Sequence, residues 1–114
     1  MIVLGVDPGT AITGYGVVSY TIGSSASLIE CGVIRTASKA PLPLRIREIY
    51  EGISALVVRF EPDVVSVEEV FHGKNAKSAL TLGHARGAIL LAASMQDVVI
   101  AEYSARSIKK AVTG

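Results

Sequence analysis

MIVLGVDPGT, residues 1–10, is an apolar run that ends on a carboxylate. Ile2 to Val6 have the β-branched, water-avoiding character of a buried strand. Asp7 then arrives at the strand end, and Pro8 and Gly9 turn the chain at once. A charge at the mouth of a buried strand needs a reason, and the rest of the chain supplies one.

Two further strand signals follow closely, Gly14 to Tyr20 (GYGVVSY) and Leu28 to Thr36 (LIECGVIRT). The connections at Asp7 to Thr13 and Ile22 to Ala26 are short and rich in Gly, Ser and Thr, so the three strands are expected to form an antiparallel meander. Leu42, Ile46, Ile49, Ile53, Leu56, Val57 and Phe60 then recur at steps of three and four, the stripe of an amphipathic helix that stops before Pro62. Asp63 to Glu68 (DVVSVE) reads as a buried strand, and Asn75 is placed to cap a helix from Ala76 to about Ser94. Asp97 to Glu102 makes a last strand, and a helix is expected from about Ser104 onward. The order is βββαβαβα in a single domain spanning residues 1–114, with a mixed five-stranded sheet and helices on both faces.

A right-handed helical crossover lays the strand from Asp63 parallel to the first strand. Parallel neighbours end at one sheet edge, so Asp7 and Glu68 meet there. Like charges about 4 Å apart repel by roughly 1 to 4 kcal/mol, depending on the effective dielectric. A cation or a shared proton offsets that repulsion, and oxygen ligands of this kind suit Mg²⁺, which keeps waters for a phosphate substrate. In the lesser reading Asp7 only caps the DPGT turn and Glu68 points to solvent. Glu69, on the other side of the pleat, is a bystander.

Half of the 114 residues are hydrophobic, enough for a core. The apolar start has no basic flank and is interrupted by Asp7, and no later apolar run is long enough to span a bilayer, so the expected setting is cytoplasmic, away from membranes. Cys31, the single cysteine, has no internal partner and is expected to pack in the core. The net charge of +1 conceals an asymmetry. Residues 1–71 hold five basic and eight acidic residues, while residues 72–114 hold six basic residues against Asp97 and Glu102. A basic region beside an acidic site fits an anionic partner, although solvated helix faces account for the charge equally well.

Ala79, Gly83 and Gly87 form a ridge of very small residues in the second helix. Each glycine costs roughly 1 kcal/mol relative to alanine there, which implies close approach by another backbone. The sheet and a partner subunit explain this equally well.

The chain resembles the RuvC Holliday junction resolvases, which have the ribonuclease H-like fold. The resemblance runs along essentially the whole sequence: LGVDPGT, TGYGVV, CGVIRT, LPLRIREIYEGI, PDVVSVEEVFHGKNAKSALTLGHARG and AEYSARSIKKAVTG, in order. DPGT alone is weak evidence, since actin-like ATPases also begin with an Asp-x-Gly turn.

The resemblance implies a homodimeric endonuclease that nicks two symmetric strands of a four-way DNA junction in recombination and repair, alongside branch-migration proteins. It implies two Mg²⁺ ions per active site, with Mn²⁺ able to substitute. Asp7 and Glu68 match two of the family's four acidic metal ligands and are the catalytic candidates. The other two, on the family's C-terminal helix, have no counterpart up to Gly114. The chain as written is therefore expected to bind junctions in preference to duplex but to cut them at least roughly a thousandfold more slowly than a full-length relative. Phe71 falls where the family places an aromatic at the junction centre, and stacking on bases is preferred to a core role for it. Lys74, Lys77, Arg86, Arg106 and Lys109 are candidate DNA contacts, with Lys74 and Lys109 best matched by position. Two alternatives remain: a catalytically incomplete junction-binding dimer, and, less favoured, an actin-like nucleotide-binding module.

Overall fold

The computed structural model describes residues 1–21, 23–37, 39–69 and 76–104. The elements are β1 (Ile2–Asp7), β2 (Ile12–Ser19), β3 (Ser27–Arg35), α1 (Leu42–Phe60), β4 (Val64–Glu69), α2 (Ala76–Ser94) and β5 (Val99–Ser104). They build one mixed sheet in the order β3-β2-β1-β4-β5. The three N-terminal strands form the expected antiparallel meander, and β4 and β5 join it in parallel.

Local chemistry sets the helix limits. Pro41 and Pro43 flank the start of α1, where missing amide donors do no harm. The helix ends at Glu61, whose left-handed backbone (φ 45°) lets its N–H bond the Val57 carbonyl. Asp97 also has a positive φ, 54°. That turn delays β5 to Val99, two residues later than the sequence suggests.

The pleat divides the sheet into unlike faces. Leu4, Val6, Val17, Val65 and Val67 point to one side and are buried against Ile49, Ile53, Leu56 and Val57 of α1 and Ala85, Ala88, Ile89, Ala92 and Ala93 of α2. The opposite side carries Val3, Gly5, Asp7, Gly14, Gly16, Val18, Cys31, Val33, Ser66 and Glu68. Both described helices thus cover one face. The third helix expected from the sequence lies outside the described residues, apart from Ser104, which belongs to β5. Cys31 corrects another expectation: it is exposed, because its strand position turns it to the side away from the helices.

The ridge of α2 also takes a definite direction. Ala79, Gly83 and Gly87 are exposed, and a Cβ added at either glycine would meet nothing within 4 Å. Packing on the sheet is therefore not the reason for these small residues, since the sheet-facing side of α2 is the alanine row with Ile89. Leu80 and Leu91 are exposed beside the ridge. No described helix is long and apolar enough to cross a membrane.

Candidate active site

A polar clamp brings the two carboxylates together from the far end of their strands. Before β4, Asp63 accepts a hydrogen bond from the Ile2 N–H through Oδ2 (2.7 Å) and donates its own N–H to the Ile2 carbonyl (2.8 Å). This fixes the parallel register, Val3 beside Val64 through Val6 beside Val67. Asp7 lies five residues beyond Ile2, and Glu68 lies five beyond Asp63. Equal spacing therefore brings both side chains to the same edge and the same face, on strands that run about 4.8 Å apart. The sequence reading missed Asp63, although its place at the head of DVVSVE was a usable signal.

The turn after Asp7 is held by a second polar residue that sequence reasoning missed. Thr13 is completely buried, and its hydroxyl donates to the Gly9 carbonyl (2.7 Å) while accepting from the Gly9 N–H (3.3 Å). Only glycine fits at position 9, because a Cβ would sit 2.1 Å from the Ile12 carbonyl oxygen. Thr36 closes the turn from the β3 side, donating its hydroxyl to the Thr10 carbonyl and its N–H to that of Ala11. Asp7 thus projects from a braced turn.

Asp7 is exposed and Glu68 is half-buried. Both line the edge of a cavity of about 660 Å³ that runs over the open face of the sheet, floored by Gly5, Gly14 and Gly16 and walled by apolar side chains such as Val18 and Val33. Two carboxylates side by side, accessible on one flank and shielded on the other, fit a hard divalent cation through oxygen ligands. Among the described residues, no group of three or more His, Cys, Asp and Glu could hold a metal ion, so the described site consists of two carboxylates. Glu69 is exposed on the opposite side of the pleat, as expected.

The candidate DNA contacts divide. Lys77 is exposed in the first turn of α2. Arg86 is not a free cation: its guanidinium donates to Glu102 of β5, and 24% of its side chain is exposed. Phe71, Lys74, Arg106 and Lys109 lie outside the described residues. A separate polar cluster braces the remote side of the sheet. Glu30 of β3 accepts hydrogen bonds from the Tyr15 hydroxyl (2.9 Å) and from the Arg59 guanidinium, which also lies 4.6 Å from the Phe60 ring centre. The Glu30 carboxylate holds the Tyr15 phenol above its usual range, chiefly by accepting its hydrogen bond, with burial adding to the effect.

Comparison with known proteins places this arrangement. Residues 3–114 match the family model of the crossover junction endodeoxyribonuclease RuvC. The curated RuvC of Desulforamulus reducens is 47% identical over 114 residues, covering 100% of this chain and 69% of that protein. The RuvC of Photobacterium profundum is 48% identical over 113 residues, covering 99% of this chain and 64% of that protein. Among solved structures, the T. thermophilus RuvC in complex with a Holliday junction substrate superposes with a TM-score of 0.90 at 32% identity, covering 97% of this chain and 70% of that one. The chain thus spans about two thirds of the length of these relatives and has the ribonuclease H-like fold expected from its motifs. With its fold, its DPGT turn and its matched length in agreement, the chain belongs to the RuvC family of crossover junction endodeoxyribonucleases.

Proposed function

We propose that this protein is a structure-selective endonuclease acting on four-way DNA junctions, with Asp7 and Glu68 as metal ligands. The observation that carries the reading is the placement of both carboxylates at one edge of the open face by the β1–β4 register. Without a cation this arrangement concentrates negative charge where a DNA phosphate would have to approach. With Mg²⁺ the site becomes attractive to phosphate, and Mn²⁺ would serve the same oxygen ligands. Bound divalent ions supply Lewis acidity and an activated water for phosphodiester hydrolysis. The role of this chain's residues is to hold those ions with Asp7 and Glu68, to keep Asp7 fixed through Thr13 and Gly9, and to limit water on the apolar flank.

Substrate selection falls to cationic and aromatic groups around the edge. Lys77 is exposed on the helix that follows β4, and Lys74, Arg106 and Lys109 are its proposed companions in contacting phosphates. Phe71 is proposed to stack on a base at the junction centre. A junction with two equivalent strands calls for two sites related by a twofold axis, and the exposed ridge Ala79, Gly83 and Gly87, flanked by Leu80 and Leu91, is the proposed homodimer contact. The cellular setting is the cytoplasm, in the pathway that also employs branch-migration proteins.

The test is a titration of the purified chain with a synthetic four-way junction and with a linear duplex of the same sequence, each with and without Mg²⁺. The reading expects junction binding at least tenfold tighter than duplex binding, and Mg²⁺-dependent symmetric nicks, at least roughly a thousandfold slower than those of a full-length relative, that Asp7→Asn abolishes. Equal affinity for both DNAs would overturn the junction reading. Binding without nicks in parent and mutant alike would overturn the nuclease reading and leave a junction-binding dimer.

A further inference from the structure

Arg86 and Glu102 form an ion pair between α2 and the sheet, on the side of the sheet away from Asp7 and Glu68. Glu102 sits on β5 opposite Val67, the residue before Glu68. Arg86 lies on the flank of α2, between the buried row and the exposed ridge. Its Nη2 donates to Glu102 Oε1, while its Nε is buried with no acceptor among the described residues. A phosphate-binding arginine would present its fork to solvent. This one is turned inward and, among the described residues, tied by one side-chain hydrogen bond.

The surface of α2 explains what such a tie does. The side that meets the sheet and α1 is mostly Ala85, Ala88, Ala92 and Ala93, with Ile89 the one large residue that is fully buried and Leu90 partly buried beside it. Alanine rows interdigitate little, so packing alone defines the rotation and axial position of the helix poorly. A partly buried ion pair adds little net stability after desolvation, but it penalises every placement that separates its partners. Rotation of α2 by one residue step, about 100°, would carry Arg86 away from Glu102 and swing the ridge out of line.

We infer that Arg86 and Glu102 are positioning residues, a strut that fixes α2 on the sheet so that Lys77 and the Ala79, Gly83, Gly87 ridge are presented at a set angle to the Asp7 and Glu68 edge. The inference rests on the proposed junction reading only for its DNA arm. Each end of the strut does the same job, so removing either end gives the same result.

The experiment compares Arg86→Gln, Glu102→Gln, the charge-swapped pair Arg86→Glu with Glu102→Arg, and the parent. Hydrogen exchange in the free protein is the first readout and needs no DNA. Both single variants are expected to exchange the amides of residues 76–87 about tenfold faster while α1 and β1 stay unchanged, and the swapped pair is expected to recover most of the difference. Binding to a synthetic four-way junction is the second readout. Both single variants should lose affinity to a similar extent, with the salt dependence of binding unchanged. If Arg86 instead contacts phosphate, Arg86→Gln alone weakens binding and flattens the salt dependence, whereas Glu102→Gln leaves binding equal or tighter; that divergence overturns the strut. Unchanged exchange in α2, or exchange accelerated uniformly across the chain, overturns it as well. Should a glutamine variant fail to fold, Arg86→Lys, which keeps charge and stem but loses the fork, is read by the same exchange pattern.

Discussion

Gly9→Ala tests how the site is braced. A methyl group at this position would lie 2.1 Å from the Ile12 carbonyl oxygen, and real contacts stay beyond 3.0 Å, so the turn must open by about 1 Å. The reason is space, because the obstacle is backbone that no rotamer change removes. Opening the turn pulls Gly9 away from Thr13, whose hydroxyl bonds both the Gly9 carbonyl and the Gly9 N–H. Thr13 has no exposed surface, so its hydroxyl finds no water and its loss of partners costs roughly 1 to 3 kcal/mol. With the strain left in the turn, we expect a destabilisation of about 3 kcal/mol. For a domain of this size each kcal/mol shifts the melting temperature by about 4 °C, so the midpoint should fall by about 12 °C in a circular dichroism melt. Mg²⁺ affinity by calorimetry should fall too, since Asp7 is anchored two residues away. A Gly9→Ala protein melting within about 3 °C of the parent would refute the reasoning and show that the turn yields without disturbing Thr13.

Asp7→Asn should keep the fold and lose Mg²⁺ affinity at least tenfold, and equal calorimetric affinities in mutant and parent would remove Asp7 from the metal site. Gly87→Glu should leave the melting temperature within a few degrees, because a Cβ there meets nothing. It should also convert a dimer to monomer in analytical ultracentrifugation; an unchanged mass would exclude the ridge from the subunit contact. The raised Tyr15 phenol gives a pH signature: the folded state holds this proton more tightly than the unfolded chain, whose tyrosines ionise near pH 10. The stabilisation is thus complete below that pH and declines as pH rises from there through the folded value. Tyr15→Phe should therefore flatten the loss of stability as pH rises above about 10, and stability–pH curves with parallel slopes in mutant and parent would contradict the assignment.

Much of this protein was written in local patterns. Alternation and apolar runs marked β1 to β4, the three-and-four stripe gave α1 from Leu42 to Phe60, and the single crossover rule placed Asp7 beside Glu68. Those features depend on periodicity and chain connectivity, which a sequence displays directly. What only the tertiary structure decided is which side things face and what they touch. Cys31 stands in an apolar stretch yet is exposed, because its neighbours in sequence do not reveal which side of the pleat the helices cover. Gly83 and Gly87 could have served the sheet or a partner, and the buried alanine row of α2 turned them outward. Arg86 read as a candidate DNA contact until folding brought Glu102, sixteen residues away, to its guanidinium. Thr13 and Asp63 were unremarked for the same reason: a hydrogen bond to a backbone group is made in space, between residues whose approach depends on the packing of the whole sheet. Sequence records the period of a pattern, while the choice of face is settled by the summed burial of many side chains at once.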